Sequence, residues 1–251
     1  MISIIVCNKN RSEHFIQTFP SMITMYGVPY ELVIVDFHSE DDFEDLVYGM
    51  NEAFGEIMSP YLSKVRYIRL DENLKYNPRK AKNLGAKYAE GDILAFTDAD
   101  VILGMNYLEH VKDVDPRKQF VATRIQDTYA NYPKRLAPEI NYGNCLVSKI
   151  DFERINGWDE GVDYYGGDDD DFYHRLKLSG LREINPKDAI DAKQYSIIHG
   201  DEQRLTHLED TARRSAKSEF EKIYSNKMYE NINNDFYYND IKVKVKDYLR
   251  S

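Results

Sequence analysis

Residues 156–176 read NGWDEGVDYYGGDDDDFYHRL, which sets Gly166 and Gly167 directly before four consecutive aspartates, Asp168 to Asp171. Paired glycines permit a tight turn or close approach of the backbone to a ligand. The aspartates fall in the first turn of the helix-compatible run that follows, where free N–H groups and the positive end of the helix dipole favour anionic side chains. Adjacent carboxylates repel one another, so at least one is a candidate for a perturbed pKa or for cation binding. A solvated acidic helix start is the plainer alternative. A second acidic pair, Asp98 and Asp100 in TDAD, follows the apolar run ILAF. Residues two apart at a strand end point the same way. Two hard carboxylate oxygens suit Mg2+ or Mn2+ bridging a diphosphate, against the plainer reading of turn-forming aspartates. His199, in IIHGDEQ, follows a strand-like run. A lone histidine there is commonly structural, but manganese accepts imidazole beside carboxylates, which makes it a candidate third ligand.

These residues need elements to place them. Short apolar, β-branched runs at 2–6, 31–35, 64–70 and 93–97 read as strands. Helix-compatible segments at 12–25, 41–58 and 78–89 separate them, the last with Pro78 at its start. This βαβαβαβ order predicts an α/β fold with a mainly parallel, doubly wound sheet whose ligands sit beyond the carboxyl ends of strands. Residues 8–11, Asp36 and the 98–100 pair all lie at such ends. Later strands are expected at 120–125, 145–147 and 195–198. From about residue 201 the chain turns polar and helix-favouring. The predicted division is therefore an α/β domain over 1–200 and a helical extension over 201–251. The tail IKVKVKDYLRS alternates apolar and basic residues, fitting an edge strand packed on the catalytic domain or a peripheral membrane contact.

A chain of 251 residues with a formal net charge of −10 can bury a sizeable core and argues against general nucleic-acid binding. Cys7 and Cys145 are its only cysteines, which gives neither a disulfide framework nor zinc-ligand spacing and favours a reducing compartment. The start, MISIIVCNKNRSEH, has no signal-peptide character, and no apolar run approaches the roughly 18 residues of a membrane span. A cytoplasmic protein, peripheral at most to the inner face of a membrane, is expected.

Four segments, in order, carry a resemblance to the GT-A glycosyltransferases of the family-2-like group, and within it to the β-1,4-galactosyltransferase-like enzymes. Asn10-Arg11-Ser12-Glu13-His14 is similar to that group's nucleotide-binding turn, and NPRKAKNLG at 77–85 to its Asn-Arg-Ala-Lys…Asn-x-Gly helix. Thr97-Asp98-Ala99-Asp100 matches its DxD motif, and Asn156-Gly157-Trp158 through Gly166-Gly167-Asp168-Asp169-Asp170 its acceptor and catalytic segment. The resemblance implies that Lys9, Arg11, Asp36, Arg79, Asn83 and Asp98 bind the nucleotide sugar, Asp36 against the uracil. It implies a metal, Mn2+ or Mg2+, on Asp98, Asp100 and His199. Asp169 falls at the catalytic base, with Asp168, Asp170, Trp158, Tyr165 and Gly167 on the acceptor, so the resemblance makes 1–200 a catalytic domain with a nucleotide-binding part at 1–100 and an acceptor part at 101–200. Three residues depart from the group's pattern: Cys7 replaces a proline, Tyr165 a tryptophan and Asp168 a glutamate. The tryptophan change bears on the identity of the sugar and acceptor.

The implied activity is metal-dependent, inverting transfer of a hexose or N-acetylhexosamine from a UDP-sugar to a saccharide or lipid-linked saccharide. Two alternatives weigh less. A sugar-phosphate nucleotidyltransferase would carry a glycine-rich loop after its first strand, and residues 7–11 hold no glycine. A non-catalytic carbohydrate- or cation-binding module would not need Asp36, the 77–85 helix or the DxD pair.

Overall fold

A computed structural model describes residues 1–111, 114–125, 141–160, 168–184, 194–197 and 241–249. The predicted alternation is present as β1 (Ile2–Asn8), α1 (Ser12–Ile23), β2 (Tyr30–Asp36), α2 (Phe43–Phe54), β3 (Leu62–Leu70), α3 (Pro78–Tyr88) and β4 (Ile93–Asp98). Then follow β5 (Val101–Leu103), α4 (Tyr107–Val111), β6 (Gln119–Ile125), β7 (Asn141–Ser148), α5 (Lys149–Arg154), α6 (Asp168–Leu178), β8 (Arg182–Ile184), β9 (Gln194–Ser196) and β10 (Val243–Leu249). Helix α2 is shorter than the 41–58 expected, because Asp42 adopts a left-handed φ of 54° ahead of it and the chain tightens to a 3-10 turn at Gly55–Ile57.

An eight-stranded sheet runs β10-β3-β2-β1-β4-β7-β6-β8, and β5 pairs with β9 in a second, small sheet. The four strands β3, β2, β1 and β4 are parallel, while β7 and β10 are antiparallel to β4 and β3. Strand order reverses direction between β1 and β4, the switch point where open α/β sheets place their ligands. There Cys7 lies opposite Asp98.

Strands β1 and β2 are buried along their whole length, as central parallel strands covered on both faces must be. Their side chains divide with period two. Ile2, Ile4, Val6, Leu32 and Ile34 join Phe15, Phe19 and Phe43 of α1 and α2 on one face. Ile5, Cys7, Val33 and Val35 join Ala81 and Leu84 of α3, with Phe96, Phe152, Trp158 and Phe172, on the other. Helix α3 lies so close to the sheet that a Cβ on Gly85 would meet Ile5 Cγ2 at 2.4 Å and Val35 Cγ2 at 3.1 Å. Alanine there would gain about 1 kcal/mol of helix propensity but lose more to overpacking against two β-branched side chains fixed in a strand. Gly85→Ala is expected to destabilise the fold by about 1–2 kcal/mol net, measured by urea unfolding.

The expected helical extension over 201–251 needs correcting at its end. Residues 243–249 form a strand that pairs with β3 from Val243 opposite Leu70 to Leu249 opposite Lys64, so the tail is part of the main sheet. Alternation of apolar and charged residues suits a strand with one covered face better than a helix. Residues 201–240 lie outside the described residues. Among the described residues no helix is long and apolar enough to cross a membrane, and both cysteines are buried thiols.

Candidate active site

The site is built at the carboxyl ends of β1, β2 and β4. Two non-glycine residues there, Asn10 and His38, take left-handed φ values of 53° and 59°, a conformation that is maintained where surrounding bonds enforce it. Asn10 Oδ1 accepts from Glu40 N at 2.8 Å, and Ser39 Oγ accepts from Asn8 Nδ2 and Asn10 N at 3.0 Å each. Asp36 holds the second loop. Its Oδ1 accepts from Ser39 N at 2.7 Å and its Oδ2 accepts from Tyr67 Oη at 2.6 Å and from Arg69 Nη1. Lys9 ties the two loops together, donating to His38 O at 2.5 Å and to Asn73 Oδ1 at 3.4 Å.

The DxD pair ends β4 with both carboxylates half-buried. Its backbone is fixed on both sides: Asp98 N donates to Asn144 Oδ1 at 3.1 Å, and Asp100 O accepts from Ile197 N at 2.7 Å. The second contact brings the chain that leads to His199 beside Asp100, although His199 itself lies outside the described residues. Among the described residues no three His, Cys, Asp or Glu side chains converge on a point. Two hard oxygen donors on an anchored turn fit Mg2+ or Mn2+ as part of a site, and imidazole would complete a set manganese accepts.

Helix α6 sorts its four aspartates into four environments. Asp168 Oδ2 lies 3.4 Å from Arg79 Nε and Asp169 Oδ1 lies 3.9 Å from Lys82 Nζ. Asp170 is exposed. Asp171 is buried in an ion pair with Arg175, 2.7 Å from its Nη2. Helix α3 delivers the two cations from one face, three residues apart. Its start is set by Asn77, whose Oδ1 accepts from Arg79 N at 3.0 Å and Lys80 N at 3.3 Å, followed by Pro78.

Burial pushes the Asp169 carboxyl up to about 7, with the negative charges of Asp168 and Asp98 adding to it and Lys82 and Arg79 opposing. Burial pushes the Lys82 ammonium down, but Asp169, Asp98 and Asp168 outweigh it and leave its pKa above the ordinary lysine value. Asp98 and the α6 pair therefore share one electrostatic centre around Lys82. Tyr76 sits in the same field: burial raises its pKa, with Cys7 and Asp98 adding and Arg11 and Arg79 opposing.

Arg79, Asp98, Asp168 and Asp169 thus lie around Lys82, Arg11 acts with Arg79 and Asp98 on Tyr76, and Asp100 is held at the same turn as Asp98. Tyr165, Gly167 and His199 lie outside the described residues. Four of the residues implied in binding are engaged with the protein itself. Trp158 is 0% exposed, with its ring stacked on Phe172 at 4.0 Å and 10°, so it is core and presents no face to a sugar. Asn83 is fully engaged with the loop before α6: Nδ2 donates to Trp158 O at 2.9 Å and Glu160 Oε1 at 2.7 Å, and Oδ1 accepts from Trp158 N at 2.9 Å. Asp36 is 0% exposed and ties strand ends together; Lys9 is turned onto a backbone carbonyl. Each of the last three shapes the site by positioning backbone.

Sequence reasoning missed Lys82, Asn144 and Glu160. Lys82 lies in the matched helix three residues after Arg79, a spacing that could have flagged it. Glu160 is buried, and burial raises its carboxyl to about 7 against the hydrogen bond from Asn83. Nothing in the local sequence marks it or Asn144.

The fold has counterparts among known proteins. Poly(ribitol-phosphate) beta-N-acetylglucosaminyltransferase TarP of Staphylococcus aureus (strain N315) is 30% identical over 110 residues, covering 43% of this chain and 31% of TarP. Validoxylamine A glucosyltransferase of Streptomyces hygroscopicus subsp. limoneus is 22% identical over 231 residues, covering 72% of this chain and 49% of that protein. The chain thus spans less than half the length of these relatives. S. aureus TarS 1–349 in complex with UDP-GlcNAc superposes with a TM-score of 0.60 at 16% identity, covering 79% of this chain and 59% of TarS 1–349. The Pyrobaculum calidifontis mannosyltransferase PcManGT, in complex with GDP-Man and Mn2+, superposes with a TM-score of 0.56 at 20% identity, covering 74% and 55%. These likenesses establish a GT-A fold. The sequence profile of Glycosyl transferase family 2 matches residues 3–166, and the chain belongs to that family.

Proposed function

We propose that the chain transfers a hexose or N-acetylhexosamine from a UDP-sugar to an acceptor hydroxyl by a single inverting displacement that depends on a divalent metal. The observation that carries this reading is Asp169 Oδ1, a buried carboxylate oxygen that receives no hydrogen bond from the described residues. A carboxyl raised to about 7 is matched to general-base work near neutral pH. Asp169 takes the proton of the acceptor hydroxyl as that oxygen attacks the anomeric carbon, and the bond from that carbon to the UDP oxygen breaks. Attack from the opposite face converts an α-linked donor into a β-glycoside. Asp98 and Asp100, with His199, would hold Mn2+ or Mg2+, whose charge offsets the negative charge developing on the departing diphosphate. Arg11 and Arg79 add fixed positive charge on the same side. Asp168 and Asp170 flank the acceptor approach.

Relatives named for N-acetylglucosaminyl and glucosyl transfer, and a fold neighbour holding UDP-GlcNAc, support starting with UDP-GlcNAc. UDP-galactose follows from the narrower likeness to the β-1,4-galactosyltransferase-like group. The acceptor class, a saccharide or lipid-linked saccharide, and a cytoplasmic location belong to the same proposal. Membrane contact through the tail is not needed, since Lys244 and Lys246 are paired with Asp71 and Glu44 at the sheet edge.

The test is UDP release from a panel of UDP-sugars with Mn2+, with and without chelator, on wild type and Asp100→Ala. Release from one donor, abolished by chelator and reduced roughly 100-fold or more in the variant, is expected. No release from any donor, together with no Mn2+-dependent UDP binding, would overturn the metal assignment. Donor binding without turnover would favour the binding-module alternative.

A further inference from the structure

A helical lysine ordinarily runs its stem along the surface and keeps its ammonium in water. The Lys82 side chain is only 5% exposed. Its ammonium lies 4.1 Å from the centroid of the Trp158 ring, a cation–π distance. The other face of the arrangement is closed by Phe172, stacked on Trp158 and three residues after Asp169 on α6. Phe172 and Asp169 share a helix face at that spacing. Lys82, Trp158, Phe172 and Asp169 therefore form a closed circuit linking α3 to the start of α6. Within it the ammonium stands 3.9 Å from Asp169 Oδ1, an ion-pair separation longer than a hydrogen bond.

We infer that Lys82 is the positioning residue of the proposed base: it supplies a counter-charge that keeps Asp169 ionised while leaving Oδ1 open to an incoming proton. This rests on the reading of Asp169 as the base. Arg79 is matched to the neighbouring Asp168 in the same way, so α3 assigns one cation to each of two successive aspartates. Among the described residues, the charged groups acting on Asp169 are Asp168 from α6, Asp98 from β4, and Lys82 and Arg79 from α3. Lys82 also packs on the tryptophan that fixes its position.

The experiment is a carboxyl 13C NMR titration of aspartate-labelled full chain in chelator, with the Asp169 resonance identified by its absence from Asp169→Asn. Lys82→Met is expected to move the Asp169 midpoint upward by about one pH unit or more, and Lys82→Arg to restore it. Lys82→Gln serves if the methionine variant does not fold. An unchanged midpoint in the neutral variants overturns the inference. In parallel, turnover of the active UDP-sugar with Mn2+ should show the acidic limb of the pH profile moving with the NMR midpoint and donor KM staying within a few-fold. A raised donor KM with unchanged kcat would instead make Lys82 a donor-binding cation and overturn its role toward Asp169. If no donor turns over, the transferase reading fails while the titration still decides whether Lys82 governs Asp169.

Discussion

Replacing Asp169 with asparagine is expected to lower kcat for sugar transfer by roughly 100- to 10,000-fold and to leave donor binding nearly unchanged. Asparagine keeps the shape of the side chain but cannot take a proton, so the loss falls on the chemical step. In the wild type the acidic limb of the pH profile should fall near 7, where burial places this carboxyl, and turnover should decline as pH drops through it. The same substitution should stabilise the protein. Asp169 has a folded pKa above its unfolded value, so the native state binds the extra proton between about pH 4 and 7, and stability decreases as pH rises through that window. Asparagine has no such equilibrium. With the Asp169 side chain 25% exposed, solvent reduces the penalty, and a gain of about 1–3 kcal/mol at pH 8 in chelator is expected. Urea unfolding of both proteins at pH 8 checks it. A variant that is less stable and retains activity would show that this carboxylate is structural.

Arg175→Met is expected to destabilise the fold by about 3–5 kcal/mol, the usual consequence of leaving a buried charge without its partner. Arg175 Nε and Nη2 donate to Asp171 Oδ2 at 2.9 Å and 2.7 Å, and Nη1 donates to Ile155 O and Gly157 O at 2.7 Å each. Burial already raises the Asp171 carboxyl even with Arg175 beside it, so removing the guanidinium leaves one carboxylate and two carbonyls to find other donors. For a chain of this size each kcal/mol corresponds to about 2–4 °C of Tm. Thermal unfolding should therefore drop by about 6–20 °C. The pair Asp171→Leu with Arg175→Met should recover part of the loss, because no charge is then buried, but not the part due to Ile155 and Gly157. A drop below about 1 kcal/mol for the single variant would mean that water replaces the guanidinium. Since α6 carries Asp168 and Asp169 at its other end, partial activity loss should accompany the instability.

The strands around the switch point were legible because β1, β2 and β4 are covered on both faces and so read as largely apolar runs. Asp98 and Asp100 were legible because a strand end fixes where two residues two apart must point. The interior of the site was not. A single tryptophan beside glycine gives the same local signal whether it stacks on a sugar or on Phe172, which lies in the next helix. Asn83 and Asp36 are polar residues at suitable positions, but their partners decide their roles. Asn83 bonds a backbone carbonyl 75 residues away, and Asp36 bonds a tyrosine 31 residues away. Lys82 was hidden for the same reason, since only the placement of Trp158 buries it. The alternation of the tail fitted an edge strand and a membrane contact equally, and the helix-favouring residues before it led to the expectation of a helical extension; its partner β3 was not legible.

That tail has a consequence for how the protein is made. Strand β3 ends at Leu70, and the strand that covers it begins at Val243, so β3 remains an open edge until Val243 and the residues after it have left the ribosome. Chains emerge at about 5–20 residues per second, which leaves that edge uncovered for roughly 10–40 s. An unpaired edge invites pairing with other chains. During that interval protection comes from the charged side chains of β3, among them Arg66, whose ion-pair partner Asp247 arrives only with β10. Once β10 docks, it satisfies the backbone groups of the β3 edge, and removing residues 242–251 would return the nascent hazard to the finished protein.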